Sequence, residues 1–82
     1  MGLKKLAAKV AAYKERVEAG TASKIEPKHV EKVLAKLRKN ETKLVQKLET
    51  TLSAEDRERI ERKLVVAREQ IARAEWLLGA VN

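Results

Sequence analysis

Two stretches of the chain carry apolar residues at the three- and four-residue spacing of one helix face, and only a short break separates them. The first stripe comprises Val30, Leu34, Leu37, Leu44 and Leu48. The second comprises Ile60, Leu64, Ala67, Ile71, Ala74 and Leu78. A connection as short as residues 50–52 forces two such helices to lie antiparallel. The pattern therefore predicts a long helical hairpin.

The two stripes also agree in register. In a tight antiparallel hairpin, residues that face each other have sequence numbers with a constant sum. Three pairs share the sum 104: Leu44 with Ile60, Leu37 with Ala67, and Val30 with Ala74. The two stripes thus predict one contact surface, which we call the seam of the hairpin.

Glu41 interrupts the seam at the level of Leu64. We expect its carboxylate to lean outward and to pair with Arg38 or with a basic residue of the following helix. The alternative is a buried polar residue that fixes the register of an otherwise apolar contact, as single Asn residues do in coiled coils. Neither interpretation implies catalytic chemistry.

A shorter amphipathic helix is predicted for residues 3–18. Its apolar face comprises Leu3, Leu6, Val10, Tyr13 and Val17. Gly20 follows it as a natural stop, since Gly tolerates the left-handed conformation found after helix ends. With lysines on its opposite face, this helix also resembles an amphipathic helix that lies on a membrane surface. Docking on the hairpin would use the same apolar residues. We therefore expect docking at the hairpin end that holds Val30 and Leu78, with the turn end left as a two-helix tip.

Local signals set the bounds of the other two helices at about 26–50 and 53–79. Ser23 and Glu26 form a capping box that competes as a start signal with Pro27, a residue favoured in the first helical turn. Ser53 caps the last helix, and Gly79 is its expected terminator.

The chain of 82 residues is therefore predicted to be a single all-α domain of three helices, coiled-coil-like, with the short N-terminal helix packed on the long antiparallel hairpin. A core this small is marginally stable alone, and small domains usually need a disulfide, a metal or a partner subunit. Because the chain contains no Cys, self-association is the expected source of additional stability.

Side chains suited to catalysis are scarce. The chain has one His, no Cys and two Ser, and both Ser lie where helix caps are expected. Glu26 and His29 form a Glu-x-x-His motif, which supplies metal ligands in di-iron bundles, but it occurs once and lacks companion carboxylates. We expect an exposed acid beside a surface His there, and no enzyme activity, metal or cofactor.

Basic charge is concentrated in the first two helices. Residues 1–50 carry thirteen basic and six acidic side chains, whereas residues 51–82 carry six of each, for a net charge of +7. Six lysines of the second helix are spaced three and four apart and form one stripe, which we call the basic stripe: Lys28, Lys32, Lys36, Lys39, Lys43 and Lys47. The stripe is either a solubilising face or a surface for a polyanion, namely nucleic acid or an acidic protein.

Apolar residues also remain outside the seam: Val45, Val65, Val66, Ala72 and Trp76. Trp76 either lies beneath the first helix or the connecting loop, or anchors a partner subunit, since Trp is favoured in binding hot spots. We treat these five residues as a candidate partner interface.

The sequence thus favours a non-enzymatic helical protein–protein interaction module, a small adaptor, regulator or assembly factor that associates with itself or with another protein. The alternative is a basic nucleic-acid-binding protein that makes non-specific phosphate contacts through the basic stripe. No apolar run approaches the ~18 residues that span a bilayer, and no secretion signal is evident. We expect a cytoplasmic protein that does not act at a membrane.

Overall fold

The computed structural model describes residues 2–20 and 25–81. Three helices are present, and this part of the chain contains no strand: α1 (Leu3–Glu18), α2 (Pro27–Thr50) and α3 (Ala54–Val81). The molecule is a rod of 47 × 18 × 18 Å. The α2–α3 hairpin forms the length of the rod, and the shorter α1 packs on both of its helices. The predicted all-α architecture is confirmed.

The seam residues form much of the core. Val30, Leu37, Ala67 and Ala74 are almost completely buried. The Ala side chains on α3 leave room for larger side chains from α2, so facing residues differ in size and can fill the space between two helices. The packing therefore follows from the two stripes.

Helix α1 adds a second side to the core. Leu6 and Val10 are buried against the hairpin, and Leu3, Tyr13 and Val17 are partly buried beside them. Val33 and Leu77 of the hairpin lie off the seam and are buried in the same cluster. The apolar face of α1 is thus docked, as predicted.

Hydrogen bonds close the turn between α2 and α3. The guanidinium of Arg57 donates to the carbonyl oxygen of Leu48 at 2.9 Å, so it satisfies one of the carbonyls left unpaired at the end of α2. The backbone N–H of Arg57 donates to the Ser53 carbonyl at 2.9 Å. Acidic Glu55 and Asp56 lie in the first turn of α3, where the helix dipole favours negative charge.

The other helix ends follow the predicted signals in part. Gly20 has φ of +78° after α1, as expected of a residue that stops a helix. Pro27 is the first residue of α2, and Glu26 is the N-cap without a side-chain capping bond. Ser23 of the predicted capping box lies outside the described residues.

Gly79 was wrongly predicted to end α3, because the helix continues to Val81. Gly79 does not have a positive φ. Leu78 and Val81 pack against the core on either side of it. A Gly in a helix costs about 1 kcal/mol relative to Ala, and the apolar contacts of the last turn offset that cost.

Glu41 adopts the predicted outward conformation. Arg68 of α3 donates from Nε to Glu41 Oε2 at 3.0 Å. A second pair on the hairpin, Arg38 Nη2 with Glu75 Oε2, lies at 3.8 Å. Exposed ion pairs of this kind contribute little to stability. The hairpin is therefore held together by its buried apolar residues and not by these two pairs.

Candidate functional site

The predicted partner-interface residues are mostly exposed. The exposed fractions of Trp76, Val65 and Val66 are 54%, 57% and 41%, and Ala72 is also exposed. Val45 of α2 is half-buried. Val65, Ala72 and Trp76 lie seven and four residues apart, which places them on one side of α3. We call the side of α3 that carries these three residues and Glu69 the outer face.

Trp76 lies beside α1 and is not covered by it. Its side chain borders a hollow of about 330 Å³ whose other lining residues are Lys14, Glu18, Arg73 and Leu77. Lys14 and Glu18 pair with each other across one turn of α1 at 3.9 Å. Trp76 therefore contacts the edge of the bundle while more than half of its surface stays open to solvent. The expected burial beneath α1 is thus incomplete, and the partner contact stays a prediction.

Two pairs of charged residues along α3 differ in whether they form an ion pair. Glu58 and Arg62 form an ion pair at 2.6 Å on the turn-end half of α3. Glu69 and Arg73 have the same four-residue spacing, but no ion pair joins them, and within ranges 2–20 and 25–81 neither has another partner. Within those ranges, one acid and one base of α3 thus carry unpaired charges.

All six lysines of the basic stripe are exposed, as predicted. The structure also shows what lies beside them, which the sequence did not: the stripe runs along the flank of α2 next to α1. Lys32 and Lys36 line a hollow of about 270 Å³ together with Lys9 and Tyr13 of α1. Lysines of two helices therefore line the same hollow.

A larger groove lies where α1 begins. Its volume is about 530 Å³, and residues from all three helices line it: the N-cap Gly2 with Leu3, Lys4 and Ala7 of α1; Asn40, Lys43, Leu44 and Lys47 of α2; Lys63 and Val66 of α3. We call it the amphipathic groove, because apolar side chains form its floor and four lysines surround them. No acidic residue is among its lining residues.

Sequence reasoning missed this groove. It assigned Lys43 and Lys47 to the basic stripe, Val66 to the candidate partner interface and Leu3 to the apolar face of α1, but it did not relate them to one another or to Lys63. No spacing along the chain relates these residues. Only the docking of α1 brings its first turn to the middle of the hairpin.

The Glu-x-x-His motif forms an exposed pair. His29 Nε2 lies 3.6 Å from Glu26 Oε2, and both side chains are more than half exposed. The described residues contain no group of three or more His, Cys, Asp or Glu side chains that could hold a metal ion. Nor is any of the three described helices both long and apolar enough to cross a membrane.

Comparison with protein-family models, with curated proteins and with solved structures finds no match to this chain.

Proposed function

We propose that the protein is a non-enzymatic protein–protein interaction module, a small adaptor, regulator or assembly factor, that self-associates through the outer face of α3. The observation that carries the proposal is the exposure of Trp76 and Val65 on one side of a single helix. Large apolar side chains on a small domain are expected to find a partner surface. We further propose a cytoplasmic setting, which a chain free of Cys suits.

The arrangement of residues along α3 favours an antiparallel dimer. A twofold axis that crosses the outer face at the level of residue 71 along α3 places facing residues so that their numbers sum to about 142. Trp76 then meets the partner's Val65, and Glu69 meets the partner's Arg73. By symmetry each contact occurs twice.

The charge distribution supports the same geometry. Residues 51–82 carry six basic and six acidic side chains, so two α3 helices approach without net repulsion. The basic stripe lies on α2 and is not part of this contact. Glu69 and Arg73, which have no partner among the described residues, gain one in the dimer.

Sedimentation equilibrium at high micromolar concentration tests the proposal. We expect a mass of about twice the 9.3 kDa of the chain. Trp76→Ala is expected to weaken the dimer by at least about 2 kcal/mol, because each copy loses a desolvated aromatic anchor. At low concentration its circular dichroism should be unchanged and its melting temperature only modestly lower, since Trp76 is 54% exposed and lies outside the core cluster. A strictly monomeric wild-type protein would contradict self-association.

A charge exchange tests the antiparallel geometry itself. Glu69→Arg places two like charges together at both symmetric contacts and should weaken the dimer, whereas Glu69→Arg with Arg73→Glu should restore it. Glu31→Arg changes an exposed acid of α2 by the same charge and serves as the control. If the control weakens the dimer as much as Glu69→Arg, net charge rather than this contact governs association.

A second candidate function is non-specific nucleic-acid binding, and one observation favours it. All six lysines of the basic stripe are exposed over about 28 Å of helix, and Lys4 and Lys9 of α1 lie alongside. We expect duplex DNA to bind at low salt and to lose most of its affinity at moderate salt, because binding releases counterions. Titration of labelled duplex at two salt concentrations measures this. Absence of binding at low salt eliminates the candidate.

A further inference from the structure

The amphipathic groove lies where the bundle changes from three helices to two. Helix α1 begins at Leu3, beside Leu44 of α2 and Val66 of α3. Beyond that point the hairpin continues alone to its turn, and its seam residues Leu48 and Ile60 are only half-buried. Among the described residues, only α2 and α3 form the tip of the hairpin, and no third helix covers it.

Positive charge surrounds this opening. Lys4, Lys43, Lys47 and Lys63 line the groove together. The carboxylate of Glu41, one residue from Asn40, is held by Arg68 and does not line the groove. Four ammonium groups around an apolar floor repel one another, and a ligand with carboxylates would relieve that repulsion.

The first turn of α1 adds to the positive charge. It contains no acidic residue, and its N-cap, Gly2, has no side chain to satisfy the first backbone N–H groups. The positive end of the α1 dipole therefore points toward the same opening as the lysines. Both features favour an anionic group at this end of the groove.

The shape and charge of the groove narrow the class of occupant. A second copy of this chain would bring four more lysines to the site, so charge disfavours it. A phosphate backbone would satisfy the lysines but leave Leu3, Leu44 and Val66 uncovered. An occupant that matches both parts needs one apolar side and one acidic side.

We propose that the amphipathic groove binds an acidic amphipathic α-helix of another protein. Such a helix lies end to end with α1, places apolar residues at i, i+3, i+4 and i+7 on the exposed floor, and directs Asp and Glu side chains to the lysines. It thereby extends the three-helix packing over the tip. The outer face of α3 is a separate surface, so helix binding and self-association stand or fail independently.

Fluorescence anisotropy with a synthetic helix tests the proposal on the full chain. The probe is a labelled peptide of about 21 residues with Leu at the first and fourth heptad positions and Glu at most others. Its control is a scrambled peptide of the same composition, which has the same charge but no apolar stripe. At about 0.15 M salt we expect the amphipathic peptide to bind at least about tenfold more tightly. Equal binding of the two peptides would overturn the proposal.

Paired variants locate the site. Lys43→Glu with Lys47→Glu should weaken binding of the amphipathic peptide at least about tenfold, because two attractive contacts become repulsive. Lys28→Glu with Lys32→Glu makes the same change in net charge on the same helix, outside the groove, and should have a much smaller effect. If both double variants weaken binding equally, the peptide is captured by overall charge, and the groove is not its site.

Two further measurements test whether the variants keep their fold and whether DNA competes with the peptide for the groove. Circular dichroism of each double variant should show unchanged helix content, since all four lysines are exposed. Unlabelled duplex DNA, added at the same salt, should displace the peptide only weakly. If DNA displaces the peptide fully from the wild-type protein, and itself binds the Lys43/Lys47 variant much more weakly than the Lys28/Lys32 variant, the groove serves phosphates and helix binding is overturned.

Discussion

Replacement of Leu37 by alanine is expected to lower the free energy of unfolding by about 2–5 kcal/mol. Leu37 has an exposed fraction of 0% and lies in the core formed by all three helices. The substitution removes buried apolar atoms and leaves a cavity that helices of fixed spacing cannot fill. Small domains have total stabilities of roughly 5–15 kcal/mol, so this single change removes a large share.

Leu52→Ala is the matched control, because Leu52 lies in the turn with an exposed fraction of 97%. Its effect should stay within about 0.5 kcal/mol. Urea unfolding followed by circular dichroism measures both variants. Similar losses in the two would show that the hairpin is not held by the seam at Leu37.

Replacement of Gln70 by leucine is expected to raise the free energy of unfolding by about 1–2 kcal/mol. Gln70 of α3 is only 7% exposed, and its side-chain oxygen Oε1 has no hydrogen-bond partner among the described residues. A buried acceptor without a donor costs the free energy of its lost hydration. Leucine has a similar size and no group to satisfy.

Gln46→Leu provides the comparison for this second variant, because Gln46 is exposed on α2. It should leave the urea midpoint nearly unchanged. The measurement is again urea unfolding, at a protein concentration low enough to keep the chain monomeric. A loss of stability in Gln70→Leu would mean that the amide makes a favourable contact that leucine cannot replace.

The hairpin was predictable because its determinants are local. The spacing of apolar residues selects the buried side of each helix, and the short connection selects the antiparallel direction. Burial of Leu37 and Ala67 follows from these two facts. The ion pair of Glu41 was also predictable, since a carboxylate in an apolar seam must turn toward a cation or water.

The contribution of α1 was predictable only in outline. Its apolar face indicated docking, but no periodicity specifies the side of the hairpin on which it lies. Val33 and Leu77, which lie outside the stripes, belong to the same buried cluster as Leu6 and Val10 of α1. The helical conformation of Gly79 depends on contacts of Leu78 and Val81 with the completed core, so the local signal misled.

The two candidate surfaces also differ in how far the sequence predicts them. The basic stripe lies on one helix, and its exposure follows from the three- and four-residue spacing of its lysines. The amphipathic groove needs Lys4, Lys43 and Lys63, which come from three helices. Their proximity is a property of tertiary packing, and sequence periodicity contains no information about it.

The unequal cover of the hairpin has a dynamic consequence. Backbone hydrogen bonds near Leu48 and Ile60 are protected by two helices, whereas those near Val30 and Ala74 are protected by three. Local opening needs less free energy where less apolar surface is buried. Amide protons should therefore exchange with solvent faster in the turn-end part of the hairpin than in the middle of α2 and α3, where α1 covers them.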